Sequence, residues 1–178
     1  MTAYPGAKRA LFRAYHIGGC GNCGFQPQET LADLCARKGG LNPDEVIECI
    51  QKHHQEDLAM MIEPRELKRL RDEGVPMKLI DMRSNEEHDA VAISGSTLLT
   101  REAMSDLMND AAKDVLVVFY DHQGKHVLDA GTYFAGHGFT NVRCLKGGID
   151  AWAAEVEPNM QRYDLEEGCC GGSGGDCC

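Results

Sequence analysis

Apolar positions along the chain change period at several points, and those changes mark out the elements. Leu11, Phe12 and Tyr15 share one face at helical spacing over 8–15. The spacing returns with Leu31, Leu34 and Cys35, and again with Val46, Ile47 and Ile50. Thr30 and the pair Asn42-Pro43 stand where the second and third helices begin. Each start offers a side-chain acceptor for unpaired backbone N–H groups, and a proline in the first turn forfeits no hydrogen bond. Gly39-Gly40 ends the second helix. Residues 1–57 thus predict a small helical unit, followed by a linker near 56–61.

From there the pattern alternates. Helices are expected over 63–73, 84–90, 101–109 and 126–137, with strands over 78–82, 97–99, 115–120 and 141–145. A last short helix after Gly147-Gly148 carries Trp152. The run Val115-Leu116-Val117-Val118-Phe119-Tyr120 has no polar partner positions. A strand of that kind is buried on both faces of a parallel sheet. Strands alternating with helices predict an α/β fold over 58–158, a doubly wound parallel sheet covered on both sides.

Composition narrows the functions. The formal net charge of the 178 residues is −10, and no segment is basic. Nucleic acid and anionic membrane surfaces gain nothing from such a partner. The start, MTAYPGAKRA, lacks the apolar run of a signal peptide, and no stretch has the length of a membrane span. A cytoplasmic protein is the expectation. In a reducing compartment its nine cysteines point to metal binding, sulfur carriage or redox work rather than to structural disulfides.

Those cysteines gather at the two ends. Cys20-Gly21-Asn22-Cys23 lies on a glycine-rich loop, with Cys35 a dozen residues on. The spacing fits zinc, an iron–sulfur cluster on Cys20, Cys23 and Cys35, or a redox pair. His16, His53 and His54 are candidate additional ligands. Cys35 falls on an apolar helix face, so core packing is its alternative role. Cys49 reads as structural and Cys144 as a small core residue. The segment 159–178 ends in Cys169-Cys170 and Cys177-Cys178 on a glycine backbone. It is expected to be a flexible tail able to capture a soft metal or to swing sulfur over a reach on the order of 20 Å.

Several strings in the α/β segment carry a resemblance. Glu63-Pro64-Arg65-Glu66-Leu67, Leu79-Ile80-Asp81-Met82-Arg83 with Glu86-Glu87, and Ile93-Ser94-Gly95-Ser96 are similar to the amino-terminal signatures of rhodanese domains. Gly138-Phe139-Thr140-Asn141-Val142 and Leu145-Lys146-Gly147-Gly148-Ile149 with Trp152 are similar to the carboxy-terminal ones. The resemblance implies a rhodanese-like fold with its chemistry on a six-residue loop after the central strand. In the family that loop begins with a sulfur-carrying cysteine, has glycine fourth and often arginine last.

Here the loop is Asp121-His122-Gln123-Gly124-Lys125-His126, and only the glycine remains from the pattern. Backbone N–H groups converge at such a loop and stabilise an anion there. A carboxylate at the first position accepts those hydrogen bonds but cannot accept a sulfane sulfur. Asp121 either caps the following helix or fronts a retained anion pocket, with His122, Lys125 and His126 as candidate anion or metal contacts. Phosphatase chemistry on this fold also needs the loop cysteine and is set aside.

The first segment, through Ile17-Gly18-Gly19-Cys20, Thr30-Leu31-Ala32-Asp33-Leu34-Cys35 and Leu41-Asn42-Pro43-Asp44-Glu45-Val46, resembles a helical domain with a cysteine loop. That domain stands at the front of iron–sulfur-repair di-iron proteins and hybrid-cluster-associated proteins. The combined expectation is a rhodanese homologue without standard activity, working with a protein partner in sulfur or thiol–metal traffic through its terminal cysteines. The alternatives are a zinc or iron–sulfur module on a structural rhodanese domain, and a pure interaction module.

Overall fold

The computed structural model of the chain describes residues 4–18, 25–26 and 28–162. Three helices come first: α1 (Ala7–Tyr15), α2 (Leu31–Arg37) and α3 (Pro43–Met60). Thr30 caps α2 in a reciprocal box with Asp33, and the Asn42 side chain accepts from Asp44 N to start α3. Their inward faces close a core of their own, with Leu11, Ile17, Leu34, Cys35, Val46 and Ile50 all buried.

No linker follows. Helix α3 runs through Met60, and the chain passes at once into β1 (Met61–Ile62), a strand the sequence pattern did not reveal. Two residues are too few to show a period of two, and β1 exists because it pairs with the strand 142–145.

The remaining elements are α4 (Pro64–Asp72), β2 (Met77–Asp81), α5 (Asn85–Ala90), β3 (Thr97–Leu98), α6 (Arg101–Asp110), β4 (Leu116–Tyr120), α7 (Val127–Gly136), β5 (Val142–Leu145) and α8 (Gly148–Glu155). The five strands form one parallel sheet in the order β1-β5-β4-β2-β3. All five residues of β4 are buried. Leu116, Val118 and Tyr120 enter one core with Leu67, Ile149 and Trp152, while Val117 and Phe119 enter the other with Val127 and Phe134. The unbroken apolar run is thus a strand with a core on each side. Among the described residues no helix is long and apolar enough to cross a membrane.

Candidate functional site

Strand β4 delivers Asp121 to the carboxyl edge of the sheet, where open parallel sheets form their binding crevices. The loop 121–126 then leads into α7. It is seated on the start of α8: Ile149 N donates to the Asp121 carbonyl at 2.9 Å and Asp150 N to the His122 carbonyl at 3.1 Å. Two glycines allow this closeness. Gly148 has φ +61°, and a Cβ there would lie 2.5 Å from the His122 carbonyl oxygen and closer still to that of Asp121. Gly124, at φ +76°, would place a Cβ 2.7 Å from Gly147 N. Only glycine suits both positions, because each combines a left-handed backbone with backbone contact.

The Asp121 side chain turns into its own loop. One carboxylate oxygen accepts from Gly124 N, and the other accepts from His126 N at 2.7 Å. The residue is only 8 % exposed. His126, at the N-cap position of α7, makes no side-chain cap of its own, and Asp121 takes the N–H of that N-cap residue. The converging N–H groups of Gly124 and His126 are therefore engaged from within by the loop's own side chain.

Around this loop lies a cavity of about 440 Å³ lined by Met82, Arg83, Glu87, Asp121, His122, Gln123, Lys125 and His126. His122 is buried, with Nδ1 4.0 Å from a Glu87 carboxylate oxygen, whereas Gln123, Lys125 and His126 are exposed. Arg83 forms the inner wall. Its guanidinium grips Asp81 through two bonds of 3.0 and 2.7 Å and donates to the Val91 carbonyl at 2.7 Å.

Asp81 also meets His88 Nδ1 at 2.8 Å and accepts from the Tyr120 hydroxyl at 2.9 Å. Burial pushes the Asp81 carboxyl up, but its hydrogen bonds from Arg83, His88 and Tyr120 outweigh that and hold it below its ordinary value. Burial, with Asp81 alongside, pushes the Tyr120 hydroxyl up to about 12. The sequence contains the string Asp81-Met82-Arg83, but not its position at this wall. That comes from the register pairing Asp81 with Tyr120 across β2 and β4.

The described cysteines stand apart from the loop. Cys144 is fully buried beneath α7, where its thiol donates to the Val127 carbonyl at 3.3 Å and packs against Gly131. Burial pushes it up to about 12. Cys35 is 1 % exposed in the helical core, and burial raises its thiol too. Cys49 differs: it is half-buried, with Sγ 3.5 Å from His53 Nδ1.

His54 meets the Tyr4 ring edge-on, and His16 is exposed at the end of α1. Cys20, Cys23, Cys169, Cys170, Cys177 and Cys178 lie outside the described residues. Among the described residues no three His, Cys, Asp or Glu side chains are grouped to hold a metal ion.

An open parallel sheet with a six-residue loop folded over a helix start at its carboxyl edge is an α/β domain with its candidate site on that loop. A family model described as the rhodanese-like domain matches residues 63–155, and the chain belongs to that family. The helical unit lies outside the matched range.

Among curated relatives, the probable adenylyltransferase/sulfurtransferase MoeZ of Mycobacterium tuberculosis is 33% identical over 104 residues, which cover 57% of this chain and 26% of that protein. The chain therefore spans about a quarter of MoeZ. The thiosulfate sulfurtransferase GlpE of Pseudomonas entomophila is 30% identical over 91 residues, covering 51% of this chain and 82% of GlpE. Among solved structures, the rhodanese-like domain of a protein from Anabaena sp. aligns with a TM-score of 0.50 at 20% identity, over 67% of this chain and 91% of that one. A protein from Bacillus halodurans aligns equally well, at 22% identity over 64% and 82%. These two share the fold.

Proposed function

We propose that this protein serves sulfur traffic without carrying sulfur on its rhodanese loop. Relatives named as sulfurtransferases support the sulfur-related role. One observation carries the rest: the first position of the loop holds a carboxylate whose two oxygens take the N–H groups of Gly124 and His126. A carboxylate is neither a thiol nucleophile nor a sulfane acceptor, and it repels thiosulfate from the cradle it fills. Cys144, the nearest cysteine in sequence, has its sulfur inside the core.

In this reading the thiols outside the rhodanese-like domain do the chemistry: Cys20 and Cys23 before it, and Cys169, Cys170, Cys177 and Cys178 after it. The α/β domain holds them near a protein partner that supplies or accepts sulfur. The cavity walled by Arg83, His122 and Lys125 is the surface such a partner would meet.

The test is thiosulfate:cyanide sulfurtransferase turnover by the purified full chain, which is expected to be negligible. Robust turnover that survives substitution of Cys20 and Cys23 together with removal of 163–178 sinks the proposal. Asp121→Cys is expected to fold yet remain well below ordinary rhodanese turnover, because the last loop position is His126 rather than the arginine common in the family. Metal analysis of an anaerobic preparation separates this reading from a zinc or iron–sulfur module. A stoichiometric metal lost in Cys20→Ser or Cys23→Ser favours the module.

A further inference from the structure

The chain does not leave the α/β domain where α8 ends. Helix α8 carries it away from the 121–126 loop at about 1.5 Å per residue, and residues 156–162 bring it back. Val156 and Met160 pack on the core that holds Ile149 and Trp152, and Met160 N donates to the Glu157 carbonyl at 2.8 Å. Arg162, the last described residue, then meets the start of α8, where its Nε and Nη2 reach one Asp150 carboxylate oxygen at 2.8 and 2.7 Å. Asp150 N is the group that donates to the His122 carbonyl. Gln161 and Arg162 share a narrow cleft with His122, and His122 also lines the cavity around the loop. Segment 163–178 therefore starts beside that cavity.

Its charge suits the place. Asp164, Glu166, Glu167 and Asp176 give it four acids, and it holds no Lys, Arg or His. The carboxylates of the cavity itself are already engaged. Asp121 accepts from Gly124 N and His126 N, while Glu87 accepts from Ser84 N in the cap of α5. Lys125 and His126 are exposed at the cavity rim. The four residues from Arg162 to Glu166 span at most about 14 Å, and the seven to Cys169 about 25 Å.

We infer that the acidic stretch 164–167 docks on the Lys125–His126 rim, so that Cys169 and Cys170 are presented over the 121–126 loop. The occupant is the chain's own segment because its root already lies beside the rim. Exposed ion pairs are weak singly, but a short tether holds the second partner at an effective concentration in the millimolar range. The use of this contact, offering the cavity and the thiols to a partner as one surface, rests on the reading that those thiols carry sulfur. The contact itself is electrostatic and does not.

The full chain, dilute and at low ionic strength, is treated with a carbodiimide that joins lysine amines to carboxylates, and is mapped by peptide mass spectrometry. Cross-links from Lys125 to Asp164, Glu166 or Glu167 are expected to exceed severalfold those from Lys78, exposed at the opposite edge of the sheet on β2. They should fall severalfold in about 1 M salt, where screening acts within about 3 Å. Glu166→Lys with Glu167→Lys alters no described contact, and should speed amide hydrogen exchange over 121–126 severalfold. Adding Lys125→Glu should restore most of the protection, a rescue that a merely structural lysine would not give.

Equal cross-linking of Lys125 and Lys78 overturns the contact. So does exchange over 121–126 that the double substitution leaves unchanged, or cross-links found only between copies in a mixture of isotopically labelled and unlabelled chain. Glutathione persulfide that loads Cys169 or Cys170 in a chain failing those tests leaves the sulfur reading standing without the contact. Cross-links at Lys125 in a chain that takes up no sulfane sulfur uphold the contact and sink that reading.

Discussion

The carboxylate of Asp121 accepts two backbone N–H groups while its own backbone carbonyl accepts Ile149 N, so one residue ties the loop to both α7 and α8. Truncation in Asp121→Ala leaves two N–H groups without their charged acceptor. It should cost about 2 kcal/mol, the range for hydrogen bonds to ionised groups. Asp121→Asn should cost less, because the amide oxygen still serves one donor. Gly148→Ala should cost more than either, about 3 kcal/mol, because its Cβ meets the Asp121 and His122 carbonyls at a positive φ. Urea unfolding of the three variants gives the ranking. If Gly148→Ala proves milder than Asp121→Asn, the close seating of the loop on α8 is wrong.

Among the elements, the pairing of β2 with β4 matters most for the site. It sets Asp81 beside Tyr120 and lets Arg83 close the cavity wall. The folded state holds the Asp81 carboxyl below its unfolded value, near 4. A depressed carboxyl contributes stability that is fully present above the unfolded value and is lost as pH falls through the folded one. The urea midpoint should therefore fall on acidification from about pH 5 downward. Asp81→Asn should lose about 3 kcal/mol at neutral pH by leaving Arg83 buried without its anion. Its stability should then vary less with acid than that of the unaltered chain. An acid profile identical in the two proteins would show that the network does not carry the pH dependence.

At the scale of the whole molecule, chain continuity and an ion-pair bridge both join the helical unit to the α/β domain. Helix α3 runs directly into β1, and Arg9 on α1 bridges Asp57 on α3 and Asp129 on α7 at 2.6 Å each. Asp129 is largely exposed, so that arm contributes little, but Asp57 is buried. Arg9→Met leaves the Asp57 charge without its cation and should cost about 2 kcal/mol. It should also speed amide hydrogen exchange in α1 more than in β4, which native-state exchange would read directly. Equal acceleration in both would mean that the two units open together.

How much of this was legible in the sequence depends on the range of the interactions. The helix starts at Thr30, Asn42 and Ser84 could be read because a cap is a local event spanning three or four residues. The central strand was legible because burial on both faces leaves an unbroken apolar run. Strand β1 was not, since two residues carry no period and their conformation is set by β5, some eighty residues away in the chain. For the same reason a linker was expected where α3 continues to Met60.

The candidate site divides along the same line. Composition and order alone determined that position 121 cannot hold a sulfane sulfur, since that follows from what a carboxylate is. Only the tertiary structure decided what the carboxylate does instead. Asp121 turns inward because α8 holds the loop from one side, while Gly124 and the N-cap residue His126 offer their N–H groups to the carboxylate. It also decided how far each helix cysteine is covered: packing closes over Cys35 and leaves Cys49 half-buried beside His53. Residue chemistry is carried by the sequence, whereas exposure and partners depend on distant elements meeting, which no local pattern encodes.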